Sequence, residues 1–159
     1  MDIKSQIRKL KLTGTLYLWT YTENDRNYSG WNLSTTPESL SDLHELLNLM
    51  EQCQWSTTKT IRVQPPTPTQ LNTVNNRNGK ANWKSTSELI LKANKNVDAD
   101  SWNYRIGTNN LELTFGTKKL VELRNSLNKI SKGNGDFAIT DELDENILYF
   151  WPNNQQTGA

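Results

Sequence analysis

The sequence has very few of the residues that build disulfides and metal sites. Among its 159 residues there is one cysteine, Cys53, and one histidine, His44. A single cysteine excludes a disulfide within the chain, and no second thiol or imidazole stands at the spacing that a zinc site requires. We therefore expect neither a metal nor a cofactor. Because disulfides mark oxidising compartments, the scarcity of cysteine also favours a reducing one.

The sequence also lacks long apolar runs and an excess of charge of either sign. Its 18 basic and 17 acidic residues give a formal net charge of +1. Proteins dedicated to nucleic acids or to membrane surfaces usually carry a basic excess, so both classes are disfavoured. No window approaches the roughly 18 consecutive apolar residues of a membrane-spanning helix. The first residues, "MDIKSQIRKLKL", have no apolar stretch of the secretory kind, and we expect a cytoplasmic protein without membrane contact.

The common sequence signatures of catalysis and phosphate binding are absent. GxSxG, GxxxxGK(S/T) and GxGxxG do not occur, which removes the hydrolase and phosphate-loop classes that depend on them. His44 falls within a predicted helix beside its apolar stripe, which is typical of a boundary residue facing water. Cys53 falls at the C-terminal end of the same helix, where the helix dipole does not activate a thiol. We predict a non-enzymatic protein without catalytic residues; the alternative is an enzyme with an unrecognised site.

Regular hydrophobic periods predict most of the secondary structure. Apolar residues alternate with period two in segments that we interpret as strands. These segments are 13–21, 28–34, 57–64, 87–93, 102–106, 111–115, 135–140 and 147–151. Helical spacing of apolar residues from Leu40 to Met50 and from Leu120 to Ile130 predicts two amphipathic helices. Antiparallel strands with both helices packed on one face of a sheet make an α+β fold.

The predicted elements suggest two halves within a single domain that spans 1–159. A hairpin, a helix and a strand follow one another in 13–64 and again in 102–151, which we interpret as an internal ββαβ pseudo-repeat. The residues between, 65–84, show no convincing period and are predicted to form a long loop. Because strands 13–21 and 147–151 are apolar on both faces, this loop is expected to cover their second face.

Five carboxylates crowd the stretch "GDFAITDELDENILYFWP", residues 135–152. They are Asp136, Asp141, Glu142, Asp144 and Glu145. An EF-hand loop needs a central glycine and a closing glutamate, and a glycosidase needs two carboxylates held apart across its substrate. The stretch offers neither arrangement. The alternatives are a solvated turn between two strands, an acidic surface for a basic partner, and, least favoured by the pattern, a metal or catalytic site.

Together these patterns favour a non-enzymatic protein that binds a protein partner, such as a bacterial immunity or antitoxin-like protein or another defence-associated protein. A protein of this kind covers the active site of a basic enzyme with acidic and aromatic side chains. The predicted contact residues are Asp141, Glu142, Asp144 and Glu145, with Trp83 as an anchor. Most of the six tryptophans are instead expected to pack within the fold.

Binding of single-stranded nucleic acid is the alternative from a different class. It would use Arg77, Lys80 and Lys84 for the phosphates and Trp83 as a stacking platform. No RNP-like aromatic motif accompanies these residues, and the other basic residues are scattered along the chain. The sequence leaves the oligomeric state and the identity of any partner open.

Overall fold

The computed structural model describes residues 2–22, 30–74, 76–131 and 137–151. Within them the chain forms a single α+β domain, as the sequence predicts, with its strands divided between two mixed, mostly antiparallel sheets. The helices are α1 (Ile3–Lys9), α2 (Pro37–Gln52), α3 (Pro68–Val74) and α4 (Thr117–Ser131), with a 3₁₀ turn at Asn76–Gly79. The strands are β1 (Leu16–Tyr21), β2 (Trp31–Thr35), β3 (Thr57–Arg62), β4 (Trp83–Ser85), β5 (Glu88–Ala93), β6 (Trp102–Ile106), β7 (Asn110–Phe115), β8 (Phe137–Ile139) and β9 (Leu148–Trp151). None of these helices has the length and apolar character needed to cross a membrane.

The four strands of sheet B and four of the five strands of sheet A follow the same order of antiparallel and parallel pairing. Sheet A has the order β4-β1-β2-β9-β8, and sheet B has the order β3-β5-β7-β6. Each contains one parallel pair, β2–β9 or β5–β7, and its other pairs are antiparallel. Each sheet therefore joins a hairpin from one half of the chain to strands from the other. The half-repeats at 13–64 and 102–151 stay a prediction, because shared topology alone does not demonstrate a duplication.

Gln64, two residues beyond β3, connects the sheets. Its backbone N–H donates to the Leu16 carbonyl at 2.8 Å, and its carbonyl accepts from the Leu18 N–H at 3.0 Å. These two bonds form a short parallel bridge with β1. The residues that follow β3, the edge strand of sheet B, thereby link this strand to sheet A.

The main core lies between the two long helices and one face of both sheets. Helix α2 begins after Thr36, whose Oγ1 accepts from the Ser39 N–H at 3.4 Å, as expected for a threonine N-cap. Both predicted apolar stripes are buried. Their buried members are Leu40, Leu43, Leu46, Leu47, Met50, Leu120, Leu123 and Leu127. Leu148 and Phe150 of β9 join this core, so the chain itself buries that face of its last strand.

A second, smaller apolar cluster covers the opposite face of sheet A. Alternate residues of β1 and β9 form its floor, and Val74 of α3 packs over them. Trp19 at its centre is fully buried, and Trp151 Nε1 donates to Asn32 Oδ1 at 2.8 Å. The predicted cover of this face by residues 65–84 is confirmed.

Residues 65–84 are, however, regularly structured, which corrects the prediction of a long loop. They contain α3, the 3₁₀ turn and β4. Helix α3 starts at Pro68, a favourable first residue, and the Thr67 N–H donates to Gln70 Oε1 at 2.7 Å. With 7 and 3 residues, α3 and β4 are too short to show a clear hydrophobic period. The same shortness hides α1, which Asp2 caps.

The outer face of sheet B carries no buried side chain. Ile90 is its one apolar residue, and the remaining side chains are polar or charged. Lys92 of β5 forms an ion pair with Glu112 of β7 across this face. Sheet B therefore has one face in the core and one in water, which is the usual arrangement of a one-sided sheet.

Candidate functional site

The acidic turn between β8 and β9, residues 140–147, is shaped by one of its own carboxylates. Asp141 Oδ1 accepts from the backbone N–H groups of Glu145 at 2.7 Å and of Asn146 at 3.3 Å, and from Thr140 Oγ1 at 3.2 Å. Asp141 Oδ2 accepts from Asn146 Nδ2 at 2.6 Å. Desolvation by itself raises the pKa of Asp141, but the hydrogen bonds from these neighbours outweigh it and hold the pKa below its ordinary value.

The turn is also fastened to sheet B. The Asn146 carbonyl accepts from Trp102 Nε1 at 2.7 Å, and Asn146 Oδ1 accepts from the Tyr104 N–H at 3.4 Å, both on β6. On the other side, Lys119 Nζ of α4 donates to the Thr140 carbonyl at 2.9 Å. Burial raises the pKa of Tyr104, with a further contribution from the nearby Asp141 charge. The turn is therefore fixed by β6 on one side and by α4 on the other.

The acidic turn exposes an apolar side chain whose neighbours in the sequence are carboxylates. Leu143 at its tip is 75% exposed, and the neighbouring Glu142, Asp144 and Glu145 are all exposed. Asp144 has a left-handed backbone conformation with φ of 55°, which aspartate tolerates better than most residues. The arrangement offers an apolar contact inside a negatively charged rim, and its chemistry suits a basic surface with an apolar pocket.

The structure places the other predicted contact residue, Trp83, elsewhere on sheet A. Trp83 opens β4, lies opposite Tyr21 and is 37% exposed. Through the strand registers, β4 and β9 begin at the same end of sheet A, with β1 and β2 between them. At about 4.8 Å per strand, three spacings separate them by about 14 Å. Arg77 and Lys80 are exposed in the segment that precedes β4, so they accompany Trp83 and do not join the acidic turn.

Asp136, the fifth carboxylate of the acidic stretch, lies outside the described residues. Sequence reasoning also overlooked Leu143 and Asn146. An isolated leucine within a predicted turn is the signal for the first, since turns between strands rarely carry large apolar side chains. Asn146 has no comparable signal, because its partners on β6 are more than 40 residues away in the chain.

A groove beside His44 lies between α2 and α4 and has a volume of about 380 Å³. Among the described residues of its lining, His44 is the one titratable side chain, and Asn48 Nδ2 lies 3.4 Å from His44 Nδ1. Cys53 is buried and free. Over the described ranges, no three His, Cys, Asp or Glu side chains converge as a metal-binding group. This groove therefore lacks the paired titratable groups that acid–base catalysis uses.

Comparisons with protein-family models, with curated proteins and with solved structures find no match to this chain. Functional reasoning accordingly starts from the geometry of the acidic turn and of the surfaces around it.

Proposed function

We propose that the protein is a non-enzymatic binding protein that docks a basic protein partner on its acidic turn. The observation that carries this proposal is the tip residue Leu143, exposed on a turn whose backbone is already fixed by Asp141 and Asn146. Neutralising a basic enzyme in the manner of a bacterial immunity or antitoxin-like protein is the role that such a surface suits best.

Three physical arguments support this proposal. A turn that is fixed before binding loses little conformational entropy on association. The carboxylates of Glu142, Asp144 and Glu145 attract a basic partner and raise its association rate at low salt. Leu143 then supplies the desolvated apolar contact that charges alone do not provide.

Trp83 is a second contact within reach of the same partner. A typical interface buries about 800 Å² on each protein, which corresponds to a patch about 30 Å across. The roughly 14 Å between β4 and β9 fits within such a patch. A partner centred on Leu143 therefore reaches Trp83 along the shared end of sheet A.

The decisive experiment is affinity capture from the native cell with two variants of equal charge change. Glu142→Lys with Glu145→Lys reverses the rim while keeping Asp141 and Asp144, which shape the turn. Glu45→Lys with Asp100→Lys, on exposed sites of α2 and the loop before β6, serves as the control. The wild type and the control should capture the same basic protein, and the rim variant should lose it. Capture by the rim variant with unchanged salt dependence would contradict the proposal.

Binding of single-stranded nucleic acid is a second candidate, supported by the half-exposed ring of Trp83 on an edge strand. Lys80 and Lys84 are exposed on either side of it, which is the combination of stacking platform and cations that such proteins use. A gel-shift series with an oligothymidine across increasing salt tests it. Retardation at low salt that Trp83→Ala abolishes supports this candidate, and no retardation at low salt rules it out.

A further inference from the structure

A basic groove runs along the edge of sheet B that is farthest from the acidic turn. It lies between the chain that follows α1 and strand β3, and it has a volume of about 490 Å³. Its charged lining residues are Arg8, Lys11, Lys59 and Arg62, and no carboxylate lines it. We call this feature the β3 groove. Its volume lies within the range that small-molecule sites usually show.

The four cations of the β3 groove form no ion pair with the residues that the structure describes. Across the described parts of the chain, the ion pairs engage other residues. Asp42 accepts at Oδ2 from the Thr13 N–H at 2.7 Å and from Thr13 Oγ1 at 2.8 Å, and it is not among the residues that line the groove. Four like charges along one groove repel one another, and a bound anion relieves this repulsion.

Lys59 is a fixed cation in this groove. Its ammonium donates to the carbonyls of Ile7 at 2.7 Å, Arg8 at 3.0 Å and Leu10 at 2.6 Å, at the C-terminal end of α1. All three of its donors are thereby used, and burial lowers its pKa. It therefore contributes charge, whereas the exposed guanidinium group of Arg8 remains able to bind an anion in bidentate fashion. Arg62 lies at the rim of the groove, on the outer face of sheet B opposite Glu88.

Ser39 adds a donor that has no partner. It lines the groove from the first turn of α2, is 1% exposed, and its hydroxyl makes no hydrogen bond within the described chain. A buried hydroxyl without a partner destabilises the fold, because it has lost its hydrogen bonds to water. An anionic oxygen in the groove would accept from it and would also lie near the positive end of the 16-residue α2.

Gly14 lets the chain that follows α1 approach the first turn of α2 closely. Its φ of 74° favours glycine, and a Cβ built there would lie 2.3 Å from Thr36 Oγ1, 3.1 Å from the Ser39 nitrogen and 3.2 Å from the Glu38 Cβ. The chain from α1 can therefore pass directly over the start of α2, which brings Arg8 and Lys11 to the same groove as Ser39.

We propose that the β3 groove binds a small phosphate-bearing ligand. Arg8 binds the phosphate oxygens, Lys11 and Lys59 add positive charge, and Ser39 donates its hydroxyl. Phosphate is favoured over a carboxylate because its several oxygens can meet a bidentate guanidinium group, a hydroxyl and an ammonium group together.

Isothermal titration calorimetry at low ionic strength tests this proposal with four probes. They are pyrophosphate, a nucleoside 5′-monophosphate, the matching nucleoside and succinate. We expect saturable binding of pyrophosphate, of the nucleotide, or of both, and none of the nucleoside or succinate. A nucleotide that binds more tightly than pyrophosphate identifies a nucleotide as the source of the phosphate, and the reverse identifies a free phosphate compound.

The variants Arg8→Gln with Lys11→Gln, and separately Ser39→Ala, connect binding to the groove. The double variant should weaken binding at least tenfold, and Ser39→Ala should weaken it several-fold without lowering the melting temperature. Arg105→Gln, an exposed arginine on β6 at the other edge of sheet B, is the control and should bind as the wild type does. The proposal fails if neither phosphate probe binds, if succinate binds equally well, or if Arg105→Gln weakens binding as much as the double variant.

Discussion

Sheets A and B present the same strand directions and the same inner face to the helices, yet their outer faces are opposites. Sheet A is covered there by α3, and Trp19 is fully buried. Sheet B is open there, and Lys92 and Glu112 pair in contact with water. The difference arises from alternate residues in the strands. "LYLWTY" of β1 is apolar on both faces, whereas the outward-facing residues of "ELILKA" in β5 are Glu88, Ile90 and Lys92, two of them charged. Both sheets thus bury their inner face against the helices. Whether the outer face must also be covered by another part of the chain depends on whether its residues are apolar.

The largest expected effect is at the centre of the covered face. Trp19→Ala should lower the free energy of unfolding by about 3–5 kcal/mol, because it empties a large, fully buried volume. Thr60→Ala on the open face of sheet B should change it by no more than about 0.5 kcal/mol. Urea denaturation of both variants measures the contrast. An equal loss of unfolding free energy in the two variants would show that the outer faces of the two sheets contribute equally to stability.

The cover itself should be less stable than the sheet below it. Val74→Ala removes two buried methyl groups from α3 and should cost about 2 kcal/mol. Val97→Ala, at an exposed position, should have almost no effect. Native-state hydrogen exchange should show α3 opening in the Val74 variant before β1 and β2 do. If all three elements exchange together, the cover and sheet A form a single cooperative unit.

The acidic turn fastens β9 of sheet A to β6 of sheet B, and its contribution should depend on pH. Asp141→Asn should lower the free energy of unfolding by about 1 kcal/mol at neutral pH, since it weakens several hydrogen bonds. The folded-state pKa of Asp141 is lowered, so its contribution is complete above the unfolded value of 3.8 and is lost as the pH falls through the folded value. Thermal melts at decreasing pH should therefore bring wild type and variant together. Glu142→Gln, at an exposed neighbouring position, is the control and should change the free energy of unfolding at neutral pH by no more than about 0.5 kcal/mol.

The smallest effect is expected on the open face. Lys92→Gln should cost less than about 0.5 kcal/mol, because ion pairs in contact with water contribute little. The residual difference should shrink further as salt is added. A loss above about 2 kcal/mol that persists in high salt would mean that this face is covered in solution, for example by a second copy of the chain.

The sequence predicts those elements of the fold whose residues repeat over several turns or pleats. The leucine spacing of α2 and α4 and the alternation in β1, β5, β6 and β7 are strong signals, and the structure contains all of these elements. The elements that lack a signal are the short ones, α1, α3 and β4. Strand order is also hidden, because nothing local in Leu33 indicates that it pairs with Phe150.

The two candidate sites also differ in how much of each can be predicted from the sequence. The acidic turn is visible in the sequence because its carboxylates are contiguous, although the role of Asp141 in shaping it is not. The β3 groove is invisible in the sequence, since Arg8, Ser39 and Arg62 come from separate elements that only the folded chain assembles. Trp83 and the acidic turn share an end of sheet A, but the intervening β1 and β2 separate β4 from β9 by about 14 Å.

The pairing of β2 with β9 has a consequence for protein synthesis. All four strands of sheet B have left the ribosome once Phe115 has emerged, whereas sheet A still lacks β8 and β9. At typical translation rates, the edge of β2 stays without its neighbour for on the order of ten seconds after Thr35 is made. During that interval β2 exposes unpaired backbone donors and acceptors, and Trp31 and Leu33, which are buried in the folded protein, are not yet covered. The nascent chain is therefore most vulnerable to wrong strand pairing at β2.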